Sequence, residues 1–263
     1  MLAYYASGNP ENPMVVLMHG VCDSATCYVD VIRYLQDQYF VVALDGLGHG
    51  VSPRYTEDQL ADPFAAAVAE VEATVEYLVK LYGKTPALVA HSMGGAIMSV
   101  LLGKRPDLFV GGVLEDPAWL SEEQYAGYIE RGPEQVELSA GWRGKPVATI
   151  SENAELRPDW EGVQHYGWAF GKGLVDPQLL ASGVVTFSES WEEVASKIAR
   201  PTVVVTSDTD EVLVGEAGVQ QMLALCNANI IPEVIPGQNH AVRLGAPEEF
   251  EQIVKQHLSQ LLS

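Results

Sequence analysis

Short, almost wholly apolar runs recur along the chain, separated by longer stretches in which apolar residues return every three or four positions. The runs are VVLM (15–18), VVAL (41–44), ALVA (87–90), GGVLE (111–115), TVVVT (202–206) and IIPEVI (230–235). The first five lack the polar–apolar alternation of a strand with one wet face. They predict strands covered on both sides, in a mostly parallel sheet. The stretches between them carry helix signals. Asp62 is an N-cap followed by Pro63 at the first helical position, Val68, Val71, Val75, Leu78 and Val79 form one stripe, and Gly83 is the stop. Pro247 opens a last helix with Phe250, Ile253, Val254, Leu258 and Leu261 on one face. This alternation predicts an α/β fold with a doubly wound sheet flanked by helices.

The alternation stops between about Pro117 and Ala199. No strand pattern occurs there, and the signals are helical: Ser121 with Gln124 as a capping box, Asp176-Pro177, and Ser190 ahead of WEEVASKI. An inserted helical cap is expected over 118–199, between core segments 1–117 and 200–263. Trp119, Trp142, Trp160, Trp168 and Trp191 all fall within it.

Composition narrows the function classes. The 263 residues are 48% hydrophobic and 19% charged, as in a globular domain. A net charge of −20 repels nucleic acid and anionic membranes, so neither is an expected partner. No apolar run approaches the roughly 18–20 residues of a membrane span. The start, MLAYYASGNP, has no basic and apolar leader pattern, which predicts a cytoplasmic protein. Cys22, Cys27 and Cys226 have neither metal nor disulfide-framework spacing and read as ordinary small residues. A monomer or homodimer acting on a small molecule is expected.

The chemistry lies in VAHSMGGAI (89–97), where a strand runs straight into a helix with Ser92 at the junction. So sharp a turn strains the junction residue and needs small neighbours, which Ala90, Gly94 and Gly95 supply. It presents the hydroxyl at a helix N-terminus and aims the Met93 N–H at the same space. LMHGVCDSA (17–25) ends another strand, and there Gly20 lets the loop pass close, with the Val21 N–H as a second donor for an oxyanion. SDTDEV (207–212) and IPGQNHAV (235–242) follow the later strands. Ser, Asp and His thus occur in that order on loops at strand C-terminal ends, where open α/β sheets bind ligands.

With these stretches, and with DGLGHGVSPR (45–54) as a further strand end followed by a Gly-rich loop, the chain resembles the α/β-hydrolase superfamily over nearly its whole length. Ala90 stands where the usual G-x-S-x-G elbow has its first glycine. The resemblance implies a serine hydrolase working through an acyl-enzyme, with Ser92 as nucleophile, His240 as base and no metal or organic cofactor. It places the acid on either of two loops. Asp210 stands three residues past Ser207 and 30 before His240, and is the expected acid. Asp116, 24 residues past Ser92, occupies the alternative place, and Asp208 and Glu115 are the remaining carboxylates. His19 and His49 read as structural, His165 lies in the cap, and His257 lies in the last helix. His91 is expected to order the pocket wall as a substrate-binding residue.

Trp119 and Trp168 are expected to roof an apolar cleft for a small or medium ester, lactone or amide. An anionic substrate is less expected, although Arg143, Arg157 or Lys172 could hold one. The same triad could serve C–C bond hydrolysis, a lyase step or perhydrolysis, and a ligand sensor with a slow triad is the reading outside enzymes. Epoxide hydrolases and haloalkane dehalogenases are disfavoured, because they use Asp where this chain has Ser92.

Overall fold

A computed structural model describes residues 1–262. Its sheet comprises β1 (Tyr4–Ser7), β2 (Met14–Met18), β3 (Phe40–Leu44), β4 (Ala87–His91), β5 (Gly111–Glu115), β6 (Thr202–Thr206) and β7 (Ile230–Val234). The spatial order is β1-β3-β2-β4-β5-β6-β7. Every neighbouring pair is parallel except β1 with β3.

Strands β2 to β6 are buried at every residue, as their unbroken apolar runs require. Alternate side chains enter two cores. Val16, Val42, Leu88, Leu114 and Val204 face one, while Val15, Val41, Val89, Val113 and Val203 face the other. The two edge strands are half-exposed. Strand β7 tolerates Pro232 because only one side of an edge strand must supply N–H donors. Strand β1 was not expected from the sequence. Its YYAS run is neither continuously apolar nor alternating, and its position is set by antiparallel pairing with Val41–Leu44 of β3.

Two of the core helices begin where the sequence predicts, at Pro63 and Pro247. Helices α1 (Val29–Leu35) and α2 (Glu57–Leu60) precede α3 (Pro63–Tyr82). Asp62 accepts the Ala65 N–H at 3.0 Å at the start of α3, and Gly83 closes it at φ +67°. Helix α4 (Ser92–Lys104) follows β4 directly. Between β5 and β6 come α5 (Glu122–Gly144), α6 (Pro146–Leu156), α7 (Gly162–Gly173), α8 (Pro177–Ser182) and α9 (Trp191–Ser196), with no strand among them. The Ser121–Gln124 capping box and the Asp176 and Ser190 caps all form. Helices α10 (Gly215–Ala224), α11 (Val242–Gly245) and α12 (Pro247–Leu261) complete the chain. Among the described residues, no helix is long and apolar enough to cross a membrane.

The chain steps from β2 outward to β3 and returns to the other side of β2 as β4. The loops after β2 and β4 therefore diverge at a switch point, where this architecture forms a crevice. Both ends of the inserted helices reach the core. Trp119 stacks on Trp191 with ring centres 5.1 Å apart and planes nearly parallel, and donates Nε1–H to Ser99 Oγ at 3.0 Å. Trp119 is 2% exposed. Replacing it by Ala should cost about 3–5 kcal/mol of stability, because the cavity left behind and the hydrogen bond lost by Ser99 Oγ, which keeps only its bond to Gly95 O, add to the lost burial. Urea unfolding measures this, and a loss below about 1 kcal/mol would contradict the packing role.

Candidate active site

Ser92 is the first residue of α4 and has φ +52°, a left-handed backbone conformation that a non-glycine residue adopts at a cost of about 1–3 kcal/mol. Two close approaches hold it there. A Cβ on Gly94 would lie 2.5 Å from the carbonyl oxygens of Met18 and His19, and a Cβ on Gly20 would lie 2.9 Å from Ser92 Cβ. The loop after β2 therefore passes against the serine, and Val21 lines the same cleft as Ser92. Met93 follows in the first helical turn, where an N–H has no acceptor within its own helix.

The carboxylate that meets His240 is Asp116, not the expected Asp210. His240 Nδ1–H donates to Asp116 Oδ2 at 2.6 Å. Asp116 is fully buried and accepts three further hydrogen bonds, from Thr206 Oγ1 at 2.8 Å, the Leu213 N–H at 2.8 Å and the Val214 N–H at 3.1 Å. Asp210 is exposed and borders a separate groove with Trp119 and Trp191. The loop expected to supply the acid supplies backbone donors to it instead. Asp208 ties that loop to the next by accepting the Gly237 N–H at 2.7 Å, and Thr209 Oγ1 donates to Gln238 O at 2.6 Å. The parallel register sets His91 opposite Glu115, so Ser92 and Asp116 stand level just past adjacent strand ends. Asp116 also has a positive φ, +36°.

Behind the histidine lies a buried polar group that sequence reasoning did not connect. The His91 ring lies 4.5 Å from the His240 ring, and its Nδ1 faces Glu115 O at 3.3 Å and Glu115 Oε2 at 3.4 Å. Glu115 is gripped by Arg243, whose N–H and Nη1 each donate to it at 2.8 Å. Burial, followed by the charges of His240 and Arg243, holds the His91 pKa well below the ordinary value. Burial also pushes the Glu115 carboxyl up, with Arg243 opposing it.

His19 and His49 clamp the loops around the crevice. His19 Nδ1–H donates to Gly20 O at 2.7 Å while Nε2 accepts the Gly46 N–H at 2.9 Å. His49 Nδ1–H donates to Leu47 O at 2.9 Å while Nε2 accepts the Cys22 N–H at 3.3 Å. Each ring uses one donor and one acceptor, the pattern of neutral imidazole. Burial lowers both pKa values, that of His49 to about 3. Burial pushes the Cys22 thiol up to about 11 and that of Cys27 up to about 12, so both stay protonated at neutral pH.

The cleft over Ser92 has a volume of about 310 Å³. Ser92, His91 and His240 line it from the core, while Tyr128, Arg157, Trp160, Gln164, Trp168 and Lys172 line it from the inserted helices. Trp168 thus stands where expected. Trp119 does not, because its ring is committed to Trp191 and Ser99 in the core. Arg157 and Lys172 reach the cleft, as does Arg243, but Arg143 is not among its lining residues. No hydrogen bond joins Ser92 Oγ to His240 among the described residues; such catalytic bonds are commonly long until substrate binds.

The sheet, its flanking helices and the order of the strands are those of the α/β hydrolases, and the protein is an enzyme of that class. Residues 9–244 match the serine aminopeptidase S33 family, and the chain belongs to that family. The (E)-2-((N-methylformamido)methylene)succinate hydrolase of Acinetobacter baylyi is 26% identical over 260 residues, covering 96% of this chain and 92% of its own length. The monoglyceride lipase of Homo sapiens is 32% identical over 122 residues, covering 46% of this chain and 39% of the lipase. Among solved structures, E-2-(acetamidomethylene)succinate hydrolase superposes with a TM-score of 0.79 at 17% identity, over 98% of this chain and 95% of that one. An esterase from Thermogutta terrifontis gives 0.74 at 19% identity, over 100% and 94%. These two structures share the fold.

The buried histidines couple stability to pH. An unfolded chain protonates histidine near pH 6.5, whereas folded His49 resists protonation down to about 3. The unfolded state therefore binds more protons in this window, and stability is full above about pH 6.5 and declines as pH falls toward 3. Each such imidazole contributes a slope of up to about 1.4 kcal/mol per pH unit. His49→Gln should flatten the dependence of urea-unfolding free energy between pH 7 and 5. An unchanged slope would mean that His49 is charged in the folded protein.

Proposed function

We propose that the protein is a serine hydrolase that cleaves a small polar ester or amide through an acyl-enzyme on Ser92, with His240 as general base and Asp116 as its orienting acid. The 2.6 Å hydrogen bond between His240 Nδ1 and Asp116 Oδ2 carries this reading. It leaves Nε2 of His240 for the serine and fixes the ring's tautomer.

In the proposed mechanism Ser92 Oγ attacks the substrate carbonyl carbon while His240 Nε2 takes the hydroxyl proton. The N–H groups of Val21 and Met93 hold the oxyanion as it develops. The imidazolium, stabilised by Asp116, gives the proton to the departing alkoxide or amine. Water then enters, loses a proton to His240 and releases the acid product, restoring Ser92. The four hydrogen bonds to Asp116 keep its carboxylate from turning away during this cycle.

A small substrate is favoured by the cleft volume, which lies at the low end of ligand sites. A polar one is favoured by Asp23, Arg157, Gln164, Lys172, Asn239 and Arg243 among the lining residues. The name of the Acinetobacter baylyi relative, a succinate hydrolase, points the same way and away from the wholly apolar ester expected from the sequence. In this reading the inserted helices 118–199 act as a cap, with Trp168 over the nucleophile.

A fluorophosphonate should label one peptide, that containing Ser92, and Ser92→Ala should abolish both labelling and ester hydrolysis. Asp116→Asn should lower kcat by about 10⁴-fold, as loss of a triad carboxylate does. Asp210→Asn, altering an exposed residue away from His240, should leave kcat within about threefold. Steady-state kinetics on 4-nitrophenyl acetate separates these outcomes, and the reverse order for the two aspartates would overturn the assignment.

A further inference from the structure

Three of the chain's 15 lysines and arginines line the cleft over Ser92, in a protein of net charge −20. Two are already matched by carboxylates. Lys172 Nζ lies 3.1 Å from Asp23 Oδ1, and Arg243 Nη1 lies 2.8 Å from Glu115 Oε2. The Lys172 match is strong: burial alone would raise the Asp23 carboxyl, yet Lys172 draws it well below its ordinary value. The third cation, Arg157, pairs with no carboxylate within 4 Å among the described residues.

Arg157 is nevertheless held in place. Its Nη1 donates to Asn153 Oδ1 at 2.7 Å. Its guanidinium carbon lies 5.1 Å from the Trp160 ring centre and 5.9 Å from that of Trp168. Asn153 is itself buried, and its Nδ2–H donates to His165 Nδ1 at 2.8 Å. The His165 ring stacks on Trp160 at 5.8 Å. Residues from α6, α7 and the turn between them thus brace one guanidinium in the cleft wall while its other N–H groups remain unpaired within the protein. An arginine already held in place loses less side-chain entropy when its planar fork meets a planar anion.

We propose that Arg157 binds a carboxylate of the substrate, so that the enzyme selects esters or amides whose acyl part carries a second, ionised carboxyl group. This rests on the assignment of Ser92 as nucleophile. Among the described residues, the guanidinium is the one Lys or Arg charge of the cleft that no internal carboxylate offsets. Lys172 and Arg243 offset the carboxylates they hold. Glu211, exposed at the cleft, is the one lining acid with no recorded cationic partner among the described residues and opposes an anion only from the rim. The brace Asn153–His165 acts as a positioning pair.

The test compares 4-nitrophenyl hemisuccinate with its methyl ester, which differ in one charge and share the reacting bond. The wild-type kcat/KM should favour the hemisuccinate. Arg157→Gln should lower kcat/KM for the hemisuccinate about 10- to 100-fold more than for the methyl ester, the loss expected for a charged hydrogen-bonded contact. The loss should appear mainly in KM. Arg157→Lys should keep part of the preference, and Asn153→Ala should weaken it in KM with Arg157 intact. Arg200→Gln, removing a remote exposed charge, controls for net charge. Equal losses on the two esters, or a wild type without preference, would overturn the proposal. Hydrolysis of either ester by Ser92→Ala above the enzyme-free rate, which for the hemisuccinate includes attack of its own carboxylate on the ester, would instead overturn the nucleophile assignment on which it rests.

Discussion

The structure turns on one buried carboxylate. Asp116 is wholly withdrawn from water, and an ionised group in such a place is tolerated only when its oxygens are matched by donors. Four donors converge on it from three stretches of chain: Thr206 at the end of β6, Leu213 and Val214 ahead of α10, and His240 after β7. Moving any of these stretches would leave an acceptor unpaired. The carboxylate therefore holds the loops together, and by the same contacts it sets the orientation of His240.

Strand order does the rest of the assembly. Because β4 and β5 are neighbours in parallel register, the residues just past their ends lie side by side, and each adopts the left-handed backbone conformation that turns it out of the sheet. The Ala118 N–H donates to Ser92 O at 2.9 Å, which ties the two turns directly. On the opposite side of β4, the loop after β2 is pressed against Ser92 and clamped by two neutral histidines. The sheet edge thus presents the serine, the histidine and two candidate backbone donors, and the inserted helices contribute the wall facing them.

That wall has its own electrostatic logic. The surface is strongly acidic, yet the cleft concentrates guanidinium, ammonium and imidazole groups. In a crevice that is only partly open to water, each charge counts for more than on the flat surface. Lys172 is matched by Asp23 and Arg243 by Glu115. The indole rings that flank Arg157 attract the third cation.

The sequence by itself determined whatever depends on near neighbours or on burial on both faces. The five interior strands were legible as unbroken apolar runs. The helix starts were legible from Asp62, Ser121, Asp176 and Ser190, since a cap bonds to an N–H two or three residues on. The serine elbow was legible because its small residues must be adjacent in sequence. Tertiary structure alone decided the rest. Edge strand β1 has little burial to mark it and exists through pairing with β3. Trp119 and Trp168 look alike in sequence, but one was drawn into the core by Trp191 and Ser99, and the other stayed at the cleft. Asp116 and Asp210 each fit the spacing of a triad acid. Which of them meets His240 is settled by groups up to 124 positions away in sequence, and only the folded chain brings those groups to Asp116.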